Sequence, residues 1–148
     1  MELNLQAIWV VFSIWLTWIW ASLWQLLLTR MAMDTLGKNP KIGKEILIQT
    51  TVWITLIESI VIFWLLVAFK ILNTTWIDYV TAIAAWLSIG LTWFIVWLGE
   101  WKLMATSIES LNRNPENKNQ VLMFMILFAA LLESVVIFGL LVSLSLLK

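Results

Sequence analysis

The chain has 148 residues, nine basic and nine acidic, so its net charge is zero and it offers no basic face for nucleic acid. Hydrophobic residues make up 62% and charged residues 12%, against about 45–50% and 25% in soluble domains, which excludes an ordinary soluble fold. With no cysteine and no histidine, disulfides, thiolate chemistry, haem ligation and Cys/His zinc sites are excluded as well.

The first apolar run, Leu5 to Thr29, matches the roughly 17–25 residues that a helix needs to cross a bilayer. It follows Met1-Glu2 without a basic region and lacks a small-residue cleavage pattern, so it reads as a span and not as a cleavable signal. Gln25 stands near its far end. The second run, Ile46 to Phe69, contains one charged residue, Glu58. After a polar linker comes the third run, Ile83 to Gly99, with Glu100 directly after it. The fourth, Val121 to Leu147, contains only Glu133.

A helix satisfies its backbone polar groups within one segment, whereas a membrane β-barrel needs an alternation of polarity that is absent here. The expected fold is an all-α membrane protein with four transmembrane helices. Its hairpins take up residues 1–72 and 79–148, with a linker at 73–78. Basic residues crowd around the first and third loops, at Arg30, Lys38, Lys41, Lys44, Lys102, Arg113 and Lys118. Loops 38–45 and 109–118 are therefore expected in the cytoplasm and both termini on the opposite side.

The two hairpins repeat. A shift of 75 places Leu16-Thr17-Trp18 on Leu91-Thr92-Trp93, Asn39-Pro40 on Asn114-Pro115, and Glu58-Ser59 on Glu133-Ser134. Gln25 precedes Pro40 by 15 residues and Glu58 follows it by 18, so the two differ in height by only about 5 Å. Glu100 and Glu133 stand in the same relation to Pro115.

A carboxylate at mid-membrane costs a few kcal/mol even on lenient scales. It lowers that cost by holding a proton or by binding a cation with help from neighbouring oxygens. Glu58 with Gln25 and Ser59 suits a hard cation such as Na⁺. Glu133 with Glu100 makes a two-carboxylate site, and two close acids share a proton more cheaply than both ionise. The simpler alternatives are interhelical hydrogen bonding by the acids and snorkelling of Gln25 and Glu100 toward the cytoplasmic end. Asp34, Glu45, Glu109 and Glu116 read as solvated loop charges.

The stretches "SIGL" (88–91), "LGE" (98–100), "RNPE" (113–116) and "ESVVIFG" (133–139), with "GKNP" (37–40) and "IESIVIF" (57–63) in the first hairpin, resemble the c subunit of rotary ATP synthases. The tandem four-helix form is similar to the larger rotor subunits of V-type enzymes. The resemblance implies a homo-oligomeric ring without a catalytic role of its own. Glu58 and Glu133 would bind H⁺ or Na⁺ and exchange it at a stator a subunit. Loop residues Lys38, Asn39, Pro40, Arg113, Asn114 and Pro115 would meet the central stalk. Sodium-binding members place a glutamine or glutamate at the positions of Gln25 and Glu100, and a serine at those of Ser59 and Ser134. Ile60 and Val135 replace the family's next threonine, and Phe63 and Phe138 its tyrosine, which favours H⁺ as the coupling ion over Na⁺. No organic cofactor is implied.

The family packs its first helices through repeated glycines, because close backbone approach needs small residues. Here Trp9, Trp15, Trp20, Trp24, Trp86, Trp93, Trp97 and Trp101 crowd those helices, among twelve tryptophans in all. Trp86, Trp93, Trp97 and Trp101 form a stripe at helical spacing, expected to be inner-helix packing surface. Intact acid motifs beside lost glycines suggest a redesigned member of that family. The alternative function is a ring-like structural membrane assembly without transport. A free-standing channel ranks last, since one polar level per hairpin does not make a continuous polar path.

Overall fold

A computed structural model describes residues 5–74 and 77–148, the side chains of residues 5, 6, 9 and 13 excepted. Its helices are α1 (Leu5–Lys38), α2 (Gly43–Asn73), α3 (Tyr79–Arg113) and α4 (Lys118–Leu146), and no strand occurs among the described residues. All four are long and apolar enough to cross a membrane. The shortest has 29 residues, about 43 Å at the usual rise. Each helix outruns its apolar stretch because nothing in the flanking polar residues breaks it. Asp34, Glu45 and Glu109, expected in loops, consequently stand on helices.

What does break α1 and α3 is the Asn-Pro pair. Proline cannot continue the backbone ladder, and it pushes the preceding residue out of helical geometry. Asn39 sits at φ −140°, ψ 79° and Asn114 at φ −141°, ψ 82°. Each asparagine N–H still donates back into the helix just ended, to Thr35 O at 2.9 Å and Ser110 O at 3.0 Å. A single 3₁₀ turn follows, Pro40–Ile42 or Pro115–Asn117. The repeat seen in sequence thus reappears in the backbone angles. At the linker, of which residues 75 and 76 lie outside the described part, Asp78 caps α3. It accepts from Thr81 N at 2.9 Å and Thr81 Oγ1 at 2.7 Å, which satisfies an otherwise orphaned helix-start donor.

The hairpins pack differently. α3 and α4 lie closer together over their length than α1 and α2. Gly139 allows this: a Cβ there would fall 2.2 Å from Thr92 Oγ1 and 2.9 Å from Ser88 O. Ser88 Oγ donates to Gly139 O at 3.2 Å, and Ser143 Oγ–H sits 2.6 Å from Ala85 O and 2.8 Å from Gly139 O. Such interhelical hydroxyl bonds need the close approach that a small residue gives. The repeat equivalent of Gly139 is Trp64, whose ring cannot enter such a contact. It packs across onto α3 instead, where a Cβ at Gly90 would lie 3.2 Å from the ring.

Two apolar clusters result. One joins Ile60, Trp64 and Val67 to Ala85, Ile89, Val96 and Val136. The other joins Leu28, Trp53 and Ile57 to Met104, Ile108, Met125 and Ala129. Along α2, α3 and α4 the acids Glu58, Glu100 and Glu133 fall between members of the first cluster and members of the second.

The tryptophans differ in depth within the single chain. Trp93 and Trp97 are buried and Trp24 and Trp86 half-buried, but Trp15, Trp20 and Trp101 are exposed within this chain. An isolated chain leaves one flank of α1 uncovered, and Trp15 lies on it. Trp9 has its side chain outside the described part. Trp53, the deepest tryptophan, and Trp64 are on α2, where no glycine comparison drew attention to them. Their signal was present in the spacing of Ile46, Gln49, Trp53, Ile57, Ile60, Trp64, Val67 and Ile71, the buried face of that helix.

Candidate ion-binding level

Six polar side chains were expected to matter at mid-membrane. The structure brings five of them into two groups. In the first, Gln25 Nε2 on α1 donates to Glu58 Oε1 on α2 at 3.3 Å. Glu58 itself is exposed on the surface of the chain.

In the second, Glu133 on α4 is half-buried. Ser59, expected beside Glu58, turns the other way. Its Oγ–H donates to Leu56 O at 2.7 Å and reaches Glu133 Oε1 at 3.4 Å. The cause is the rotation per residue: consecutive positions on a helix are about 100° apart, so the residue after an acid faces a different neighbour. The hydroxyl of hairpin one therefore serves the acid of hairpin two. Ser134, the sixth residue, donates only to its own Leu131 O among the described contacts.

Glu100 belongs to the second group, close enough to Glu133 for their charges to interact. It is 1% exposed, and neither carboxyl oxygen has a hydrogen-bond partner among the described residues. It lines a small enclosed space of about 10 Å³ with Trp24, Trp53, Trp97 and Trp101, the size of a single water. Trp24 Nε1 is likewise buried without a partner there. Burial of this kind excludes the snorkelling alternative for Glu100. Height along the helix left that choice open; the direction of the side chain and the tryptophans around it decide it.

The tryptophans form a connected wall around this level. Trp24 meets Trp97 edge-on with ring centroids 3.8 Å apart and Trp101 at 5.8 Å. Trp97 stacks on Trp93 at 6.1 Å, and Trp93 meets Trp64 at 6.3 Å. Edge-to-face pairs of this kind add specific geometry to bulk packing.

The hairpin turns are far from the acids. Lys38, Pro40, Arg113, Asn114 and Pro115 are exposed, while Asn39 is half-buried and its Nδ2 donates to Asn112 Oδ1 at 3.4 Å. Two supposedly free loop charges are paired. Glu45 accepts from Lys118 at 2.6 Å, which ties the start of α2 to the start of α4. Glu109 pairs with Arg113 one helical turn away. No group of three or more acidic side chains arranged to hold a metal occurs among the described residues.

Fold and site together define an all-helical membrane protein with a polar level partway along its helices, fed by both hairpins. Residues 83–146, covering most of α3 and all of α4, match the family model of the ATP synthase c subunit, and that match supports the c-subunit family. No curated protein matches the chain.

Proposed function

We propose that the chain is a c-type rotor-ring subunit that takes up and releases H⁺ at Glu58 and Glu133 and so couples ion flow to ring rotation. It would carry no bond chemistry of its own. The observation that carries this reading is the bond from Ser59 to Glu133. An acid of one hairpin is served by its neighbour, as expected where hairpins stand side by side in a ring. Gln25 beside Glu58 and Glu100 beside Glu133 supply the first-helix partners. Na⁺ is the second ion to consider, because Ser59 brings a hydroxyl oxygen to Glu133 and Gln25 holds a side-chain amide at Glu58.

The repeat extends the argument. The same step that carries Ser59 to Glu133 would carry Ser134 to Glu58 of a following copy. Glu58 is exposed and Ser134 has only a local bond, so both are free to meet across a head-to-tail junction, the kind that closes into rings. The loops at 38–45 and 109–118 would face the cytoplasm and the central stalk, and a stator a subunit would exchange the ion at the outer acids.

Because the chain has no cysteine, a Glu58→Cys, Ser134→Cys double variant carries a unique thiol pair. Oxidation in a membrane is expected to give a ladder of disulfide-linked copies. Exclusively monomeric product would contradict the ring. Copurification with stator and stalk subunits would then test the rotor role.

A further inference from the structure

A second polar feature lies at the hairpin-turn end of the bundle, where α2 and α4 begin. A recess of about 170 Å³ opens there between the two helices. Lys44 and Lys118 stand at its rim, Lys118 already donating to Glu45 at 2.6 Å. Ile48 and Leu122 form its apolar sides. Gln49 also lines it; that side chain is 2% exposed, and its Oε1 has no hydrogen-bond partner among the described residues. The lysines lie in the first residues of the spans Pro40–Asn73 and Pro115–Leu146, which is headgroup level for a bilayer whose core is about 30 Å thick. Leu47, Ile48 and Met123 are exposed around it, an apolar flank for acyl chains.

We propose that this recess binds the headgroup of a phospholipid carrying an N–H or O–H donor beside its phosphate. The lysine ammoniums are donors only and suit phosphate oxygens. Gln49 Oε1 and the Glu45 carboxylate are acceptors, so the ligand must also bring a donor. The ammonium of phosphoethanolamine and the hydroxyls of phosphoglycerol do so. Choline does not. A buried amide oxygen left unbonded is costly, which gives the donor end its energetic reason.

The repeat limits the site to one per chain. The equivalents of Glu45, Lys118 and Gln49 are Gln120, Gly43 and Phe124, so the junction between copies cannot reproduce the recess. This inference does not depend on the ion-binding reading.

The test uses the full chain, delipidated in detergent and titrated with phosphatidylethanolamine, phosphatidylglycerol or phosphatidylcholine of identical acyl chains. Bound lipid is counted by native mass spectrometry. One ethanolamine or glycerol lipid per chain is expected, retained about tenfold over the choline lipid, the scale of one charge-assisted hydrogen bond. Gln49→Leu should reduce retention of the ethanolamine and glycerol lipids to the choline level, and Lys44→Ala should lower retention of all three. Lys44 is exposed, so its loss leaves the fold intact and isolates the contact. Equal retention of all three lipids, or unchanged retention in both variants, overturns the proposal. Displacement of the lipid by equimolar soluble glycerophosphoethanolamine would assign the recess to free phosphoesters and overturn the lipid source; failure to displace it supports that source.

Discussion

Hairpin one and hairpin two share the same spacing of Asn-Pro turn and acid, yet the first is more loosely packed than the second. In the second, Gly139 lets α4 settle onto α3, and serine hydroxyls bond across the gap. In the first, Trp64 occupies the equivalent position and reaches past its own partner to Gly90 of the other hairpin. The acids follow suit. Glu58 is exposed with a single glutamine partner, while Glu133 is half-buried beside a fully buried Glu100. The bulk at this one position thus goes with the looser packing of the first hairpin and with an added contact to the second.

The strongest way to break this comparison is to remove the bulk. Trp64→Ala should cost about 3–5 kcal/mol, the usual range for emptying a buried tryptophan site, because it also strips the ring contacts to Trp86 and Trp93. Thermal unfolding in detergent measures it. The converse change, Gly139→Ala, puts a methyl where Thr92 Oγ1 already lies and should cost about 1–3 kcal/mol by overpacking. If Gly139→Ala were neutral, close α3–α4 contact would not be what distinguishes the second hairpin.

Smaller effects sharpen the picture. Lys118→Ala removes the ion pair to Glu45. Lys118 is half-exposed, with 49% of its side chain accessible. The loss should therefore lower the unfolding temperature by at most about 3 °C, and by less in high salt. The smallest effect is at the cap of α3. Hydrogen bonds from Thr81 hold the Asp78 carboxyl below its ordinary value of 3.8. Its contribution to stability is therefore fully present above pH 3.8 and is lost as pH falls through the lower folded value. Amide exchange at Thr81 should quicken only in that acid window, and Asp78→Asn should remove the pH dependence while keeping a capping side chain.

Much of this was legible in the sequence. Four apolar runs fixed the helices, because a bilayer leaves few other ways to satisfy a backbone. Asn-Pro fixed the turns. Equal distance from those turns brought Gln25 to the level of Glu58, where the two do bond. The far ends of the helices were not legible, since polar residues at a membrane surface continue a helix as readily as they end it. The crossing of Ser59 to Glu133 was hidden too. Depth can be counted along one helix, but the direction a side chain takes depends on how two hairpins rotate against each other. That rotation rests on Trp64 meeting Gly90, a contact between residues 26 positions apart.

The central claim is that these acids exchange an ion at mid-membrane, and labelling with a hydrophobic carbodiimide tests it most directly. The chain would be treated in detergent across a range of pH, with and without Na⁺, and each carboxyl followed by peptide mass spectrometry. Glu58 is expected to react first, Glu133 more slowly and Glu100 least, in order of burial, with Na⁺ giving no protection if H⁺ is the ion. Labelling confined to Glu109 and Glu116, with Glu58 and Glu133 inert at every pH, would contradict the account and leave the acids as structural hydrogen-bonding groups.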